Sequence, residues 1–256
     1  MEGEVHLIRG EDGVAEIVLD RPAKHNAVTP EMAEAIARHA AAVDADPALR
    51  CVLLRGAGDR AFCSGTDLNA LAAYPDLWSF RNRVEYSTSV REIRKPVVAA
   101  LKGWALGGGF ELALAADIRV AGRSLRAGFP EVTRGWVGGG GASQMLPRLV
   151  GYGQAMRLLL TGETVDAEEA RALGMVEVVA EDADHEQAAR AIARRIAGFS
   201  PVATQSVKAS VRMAMQAPLP AGLAYENEMN VLCFAAGDHM EGIRAFAEKR
   251  EAAFKR

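Results

Sequence analysis

Three consecutive glycines, Gly107 to Gly109, separate two stretches of opposite character. Before them, Val97-Val-Ala-Ala-Leu101 is an apolar run that predicts a buried strand. After them, Phe110 to Ala116 is rich in strong helix formers. Glycines at a helix entrance are costly in backbone entropy, so something must need a backbone free of Cβ atoms. One such need is a ligand oxygen approaching the first-turn N–H groups, which have no intrahelical acceptor and sit at the positive end of the helix dipole. Glu111 falls in that first turn. An anion-stabilising backbone beside a carboxylate suits carbanion or acyl chemistry. The same residues also suit tight strand-to-helix packing with Glu111 merely complementing the dipole, and this stretch alone leaves both readings open. A phosphate cradle fits less well, because the G-x-x-x-x-G-K-[ST] pattern is missing.

At 256 residues the chain suits one large domain or a domain with an appendage. A net charge of −3 argues against a nucleic-acid-binding surface. Cys51, Cys63 and Cys233 are odd in number and far apart, which fits a reducing cytoplasm better than a disulfide framework. Glu2 and Glu4 precede no apolar signal-like region, and no apolar run is long enough to span a bilayer. A cytoplasmic protein with neither membrane nor nucleic-acid partner is therefore expected. The five histidines lack metal-ligand spacing, so no metal site is expected. Gly138-x-Gly140-x-x-Ser143 misses the third glycine of a dinucleotide fingerprint.

Taken in order, residues 4–9 and 13–19 predict two strands around a Gly10–Gly13 turn. Ala23-Lys24-His25-Asn26-Ala27 has turn chemistry, and Thr29-Pro30 starts a helix that Asp46-Pro47 stops. Cys51–Leu54 is the next strand, followed by a loop over residues 56–68. In that loop Ser64-Gly65-Thr66 can aim backbone donors at a ligand, whereas Cys63 lacks a recognisable His and acid for a nucleophilic role. Residues 69–82 have no clear periodicity and read as a mobile loop, followed by a helix over 82–94. Short strands are predicted at 118–121, 125–128 and 175–180, with helices at 141–149 and 152–160. Four helices follow, at about 184–198, 201–216, 220–235 and 238–255, so an α/β core carries a helical annex.

With these pieces in place the chain resembles the crotonase superfamily, the enoyl-CoA hydratase/isomerase family, over nearly its whole length. The matching pieces are Arg21-Pro22 with Asn26-Ala27, Ala61 to Leu68, Gly103 to Glu111, Pro130-Glu131 with Gly135, and Phe246 to Arg250 with Phe254. The resemblance implies an α/β crotonase-like fold, a spiral of ββα units. Residues 1–198 would carry the active site and residues 199–256 would form a helical region for trimerisation, giving a homotrimer or a hexamer built as a dimer of trimers. It implies an oxyanion hole from the backbone N–H groups of Thr66 and Gly108, aimed at the thioester carbonyl of an acyl-CoA. Glu111 would be chiefly the water-activating base and Glu131 chiefly the proton donor.

Coenzyme A would enter as part of the substrate, with no separate cofactor. The resemblance places Ala23, Lys24 and His25, then Ala61, Ser64, Gly65, Asp67 and Leu68, along the substrate. It adds Trp104, Gly107, Pro130 and Arg134, and it puts Phe246 and Lys249 where relatives reach a neighbouring subunit's coenzyme. The activity implied is reversible syn hydration of a 2-trans-enoyl-CoA. The alternatives are an enoyl-CoA isomerase or another acyl-CoA lyase or hydrolase of the superfamily, such as one similar to carnitinyl-CoA dehydratases. Thr133, Arg134 and Gly138 depart from the pattern. Arg134 either lies near the acyl pocket, where an unpaired guanidinium implies a polar or anionic acyl group, or turns outward with no bearing on specificity.

Overall fold

Residues 3–254 are described in the computed structural model. The elements open with β1 (Glu4–Arg9), β2 (Val14–Asp20), α1 (Pro30–Ala45), β3 (Cys51–Gly56) and β4 (Ala61–Cys63). Three short helices follow, α2 (Leu68–Ala72), α3 (Leu77–Arg81) and α4 (Tyr86–Arg91), and then β5 (Val97–Leu101), β6 (Trp104–Leu106) and α5 (Gly108–Ala115). Next come β7 (Ile118–Gly122), β8 (Arg126–Gly128), α6 (Ala142–Val150), α7 (Tyr152–Thr161), β9 (Thr164–Asp166), α8 (Ala167–Ala172) and β10 (Val178–Ala180). The chain ends in α9 (His185–Ala197), α10 (Pro201–Ala214), α11 (Leu219–Ala236) and α12 (Asp238–Glu248).

Two strands followed by helix recur along the first 150 residues, beginning at β1, β3, β5 and β7. The first strand of each later pair joins a six-stranded sheet in the order β1-β2-β3-β5-β7-β10, and the second joins a four-stranded sheet in the order β4-β6-β8-β9. Apart from β1–β2 and β8–β9, neighbours run parallel. Both faces of the larger sheet are covered, which is why its central strands read as unbroken apolar runs. Along β5, Val97, Ala99 and Leu101 enter the main core, while Val98 and Ala100 face the opposite side with Ala189, Ala193 and Ala197 of α9. Helix α5 is buried from Gly109 to Ala115 and carries no polar face. Its N-terminus opens beside the small sheet.

The small sheet is the main departure from the sequence reading. Strands β4, β6 and β9 have three residues each, too few for a period-two pattern to register. Residues 69–82, expected as a loop, hold most of α2 and all of α3. The Asp67 side chain accepts from the Asn69 and Ala70 amides, and Asp76 accepts from Ser79, so each aspartate caps a short turn of helix. The helix expected over 82–94 shortens to α4, with Glu85 capping Ser87, and the strand expected at 175–180 pairs only from Val178. The last helix ends at Glu248, where Lys249 adopts a left-handed φ of 53°; residue 255, to which it was expected to run, lies outside the described residues.

Among the described residues no helix is long and apolar enough to cross a membrane. The three last helices expose large apolar side chains, among them Val207 and Val211 of α10, Leu223 and Phe234 of α11, and Ile243 and Phe246 of α12. Helix α10 is tied to the core through charge. Buried Lys208 donates to the Lys95 carbonyl at 2.7 Å and pairs with Asp117 at 2.6 Å, and Asp117 also accepts from the Val97 amide. Removing the acid leaves a buried ammonium without its counter-charge, so Asp117→Ala is expected to lower unfolding free energy by roughly 3–5 kcal/mol. Adding Lys208→Met should restore much of that loss. Urea unfolding of the two variants checks both statements.

Candidate active site

A cleft of about 530 Å³ opens at the N-terminus of α5. Its floor is bare backbone. Gly107 has φ of 53°, a left-handed-side conformation that leads into the helix, and a Cβ there would stand 2.7 Å from a Glu131 carboxylate oxygen. A Cβ on Gly109 would lie 2.0 Å from the Cys63 carbonyl, and one on Gly108 would lie 2.1 Å from the Tyr86 hydroxyl. None of the three positions tolerates a side chain without a shift in its surroundings.

The Ser64–Leu68 loop is brought against this helix entrance from the far side. Gly65, at φ of 94°, approaches so closely that a Cβ on it would sit 3.2 Å from the Gly108 nitrogen. Thr66 bridges to Val28 in parallel fashion, with the Val28 amide donating to Gly65 and the Asp67 amide donating to Val28. In that pattern the Thr66 N–H points away from Val28. Among the described residues, neither it nor the Gly108 N–H has an acceptor. Asn26 locks the loop's base. Its amide nitrogen donates to the carbonyls of Ala57, Ala61 and Phe62, and its oxygen accepts from the Arg21 amide.

Two carboxyls face the same cleft. Glu111 is only 3% exposed, and burial is the main cause holding its pKa above the ordinary value. The Ala142 amide, donating at 2.9 Å from the start of α6, works against that rise, as do the amides of Gly140 and Gly141. Glu131 sits on the 3₁₀ turn Pro130–Arg134 and is raised chiefly by burial. Its own amide and the Arg134 charge oppose the rise, and the Glu111 charge adds to it. Gly138 and Gly140 let the covering loop close on the first acid, since their Cβ atoms would lie 2.5 and 2.9 Å from its two oxygens. Two free amides beside two acids of raised pKa can hold a developing oxyanion while moving protons at neighbouring carbons.

Of the residues expected along a substrate, Lys24, Ser64, Gly65, Thr66, Asp67, Leu68, Gly107, Gly108, Pro130 and Arg134 line the cleft with both acids. Asp67 does so with its carboxylate already engaged, paired with Arg21 and capping α2. Ala23, His25, Ala61 and Trp104 are not among the lining residues; Ala61 is buried in β4, and Trp104 lies on β6. Phe246, 88% exposed, and Lys249 lie at the end of α12, away from this chain's own cleft lining. Cys63 is fully buried, its thiol pushed up to about 12 by desolvation, with Sγ donating to the Asn26 carbonyl; it is no nucleophile. Sequence reasoning missed Tyr86. Its buried hydroxyl lies 3.1 Å from Thr66 Oγ1 and against Gly108, joining the two halves of the amide pair. It also missed Arg83 and Glu85 on the cleft wall.

The sequence profile of the enoyl-CoA hydratase/isomerase family matches residues 9–256. A probable enoyl-CoA hydratase from Rhizobium meliloti is 38% identical, with 100% of this chain and 99% of the relative covered. A crotonyl-CoA hydratase from Syntrophomonas wolfei is 34% identical, with 97% and 96% covered. The crystal structure of an enoyl-CoA hydratase from Bacillus anthracis superposes with a TM-score of 0.94 at 33% identity, covering 98% of this chain and 99% of that one. The chain belongs to the enoyl-CoA hydratase/isomerase family and is an enzyme with the crotonase fold.

The contact between Tyr86 and Gly108 gives a direct test of how tightly the site is assembled. Gly108→Ala should lower the melting temperature and abolish turnover, because the new methyl meets the phenol oxygen. Adding Tyr86→Phe removes that oxygen and should recover part of the melting temperature, read by calorimetry.

Proposed function

We propose that the enzyme hydrates the double bond of a 2-trans-enoyl-CoA, reversibly and with syn geometry. The observation that carries this reading is the convergence of two unpartnered amides and two carboxyls of raised pKa on one cleft. The Thr66 and Gly108 N–H groups bind the thioester oxygen. As water attacks Cβ, electron density moves through the Cα carbon onto that oxygen, where the two donors and the α5 dipole stabilise it.

The two acids differ in environment, and that difference assigns their roles. Glu111 faces the amides at the start of α6, which favour its ionised form, so it takes the proton from the attacking water. Glu131 has only its own amide and the Arg134 charge to favour its ionised form, and it feels the charge of Glu111, so it keeps its proton and delivers it to Cα. Both acids line one cleft, so proton and hydroxyl are delivered to the same face of the double bond. The reaction is redox-neutral, and coenzyme A takes part only as the carrier of the acyl group. The apolar faces of α10–α12 support a second element of the reading, self-association through the C-terminal helices into a trimer or a dimer of trimers.

Loss of conjugated thioester absorbance reports hydration. Glu111→Gln and Glu131→Gln are each expected to lower kcat by about 10²–10⁴-fold. An isomerase would depend mainly on one of the two. The sign of the pH dependence follows from the roles. Glu111 must be ionised, so the rate falls as pH drops through its raised pKa; Glu131 must be protonated, so the rate falls as pH climbs through its own. A bell-shaped profile is expected, with its acid limb above the ordinary carboxylate value of 4.5. The residual activity of Glu111→Gln should lack that limb.

A further inference from the structure

A hydrocarbon acyl chain needs an apolar tunnel, and the wall beside Glu111 is not one. Arg83, Glu85, Arg134 and Trp136 line the same cleft as the two acids. The Arg83 Nη2 atom lies 2.9 Å from where a Gly139 Cβ would stand, and the flanking glycines, Gly138 and Gly140, close on Glu111. Arg134 is three residues beyond Glu131, and its charge is felt by that carboxyl. The two guanidiniums therefore flank the reacting acids.

They are held differently. Arg83 is fixed: its guanidinium stacks on the Phe80 ring at 4.0 Å, Nη1 donates to the Phe80 carbonyl at 2.8 Å, and Phe80 meets Trp136 edge-on. Glu85 approaches Nη2 only to 4.0 Å, and its other oxygen accepts from the Ser87 amide at 2.9 Å. Arg83 is thus partly neutralised. Arg134 is not. It lies exposed at the rim of the cleft; among the described residues no carboxylate comes within 4 Å of it, and its one hydrogen bond reaches the Pro130 carbonyl at 3.4 Å. A neutral chain laid along this wall would strip water from half-buried Arg83 and leave the exposed Arg134 at the rim of the cleft without a partner. A planar carboxylate would meet a guanidinium fork with paired, charge-assisted hydrogen bonds.

We infer that the acyl group carries a second carboxylate remote from the thioester, received by Arg134 with Arg83 as the weaker contributor. The inference rests on the acyl-CoA reading for which end of the substrate reaches this wall. It makes the substrate the mono-thioester of an unsaturated dicarboxylic acid, so the preceding reaction must supply a dicarboxylic acyl-CoA.

Binding of saturated analogues tests this without turnover. Hexanoyl-CoA and adipyl-CoA differ only in a terminal carboxylate, as do butyryl-CoA and succinyl-CoA in the four-carbon series. Calorimetric titration of the wild-type enzyme is expected to give a dissociation constant about tenfold or more lower for the carboxylated member of at least one pair. In Arg134→Leu that ratio should fall close to one, in Arg134→Lys it should survive in part, and in Arg83→Met it should shrink without vanishing. Equal affinities within both pairs, or a preference that persists in Arg134→Leu, would overturn the inference. Turnover of hex-2-enoyl-CoA and crotonyl-CoA is measured alongside. Hydration of these with equal binding within each pair removes only the carboxylate; tight, carboxylate-selective binding with no hydration of any enoyl thioester removes the hydratase reading and leaves the carboxylate site standing.

Discussion

Two main-chain N–H groups kept free of any partner are the constraint from which the rest of the structure follows. A main-chain amide without a protein acceptor forgoes an intramolecular hydrogen bond, and half-buried Thr66 and Gly108 do so at the cleft surface because the surrounding backbone leaves no other arrangement. The parallel bridge to Val28 turns the Thr66 amide outward. The entry into α5 leaves Gly108 in the first turn, ahead of any intrahelical acceptor. Bringing the two segments together requires Gly109, whose Cβ would stand 2.0 Å from the Cys63 carbonyl oxygen, and Gly65, whose φ of 94° and Cβ position 3.0 Å from the Leu106 carbonyl oxygen both disfavour a side chain. It also requires Asn26, whose single side chain gathers three carbonyls of the adjoining strand and loop. The small sheet exists to hold these pieces: β4 delivers the Thr66 loop, and β6 delivers the helix entrance.

The acids are set by the same economy of space. The Gly138–Gly141 run covers Glu111 with backbone alone, and Arg91 steadies it by donating to the Gly140 carbonyl at 2.6 Å. Burial removes water, which raises both pKa values, while amides at the start of α6 return part of that stabilisation to Glu111, and a single amide with the Arg134 charge returns part to Glu131. One glycine-rich loop therefore buries Glu111 and supplies it with amides, which sets it apart from Glu131. A fold optimised for stability alone would not bury two carboxyls in this way. Their raised pKa values mean that their ionised forms work against folding, in full above those pKa values and not at all well below them.

The stretch from Val97 to Asp117 was legible from its residues because strand, glycine run and helix are each governed by local chemistry, and the structure reproduces that order. Its chemical purpose was not, since free amides and tight packing demand the same glycines. What separated them was the resemblance over Ala61–Leu68 and Pro130-Glu131. Strands β4, β6 and β9 escaped notice because three residues carry no periodicity, and α2 and α3 because side-chain caps rather than apolar spacing make them. Tyr86 could not be found from sequence: its contact with Thr66 spans 20 residues and depends on how α4 meets α5. Arg83 and Glu85 look like surface charges until the glycine loop folds over them. Arg134 stood open between pocket and solvent, and its place in the cleft lining came only from the folded chain.

The central claim is that a thioester oxygen is polarised by the Thr66 and Gly108 amides. The stretching frequency of a carbonyl-labelled acyl-CoA, followed by isotope-edited infrared difference spectroscopy, reports that polarisation directly. Binding to the wild-type enzyme should shift the thioester band to lower frequency, and Gly108→Pro with Tyr86→Phe, which removes one of the two N–H donors along with the phenol oxygen the new side chain would meet, should return it part of the way toward its value in water. A bound thioester whose band stays where it lies in solution would contradict the account.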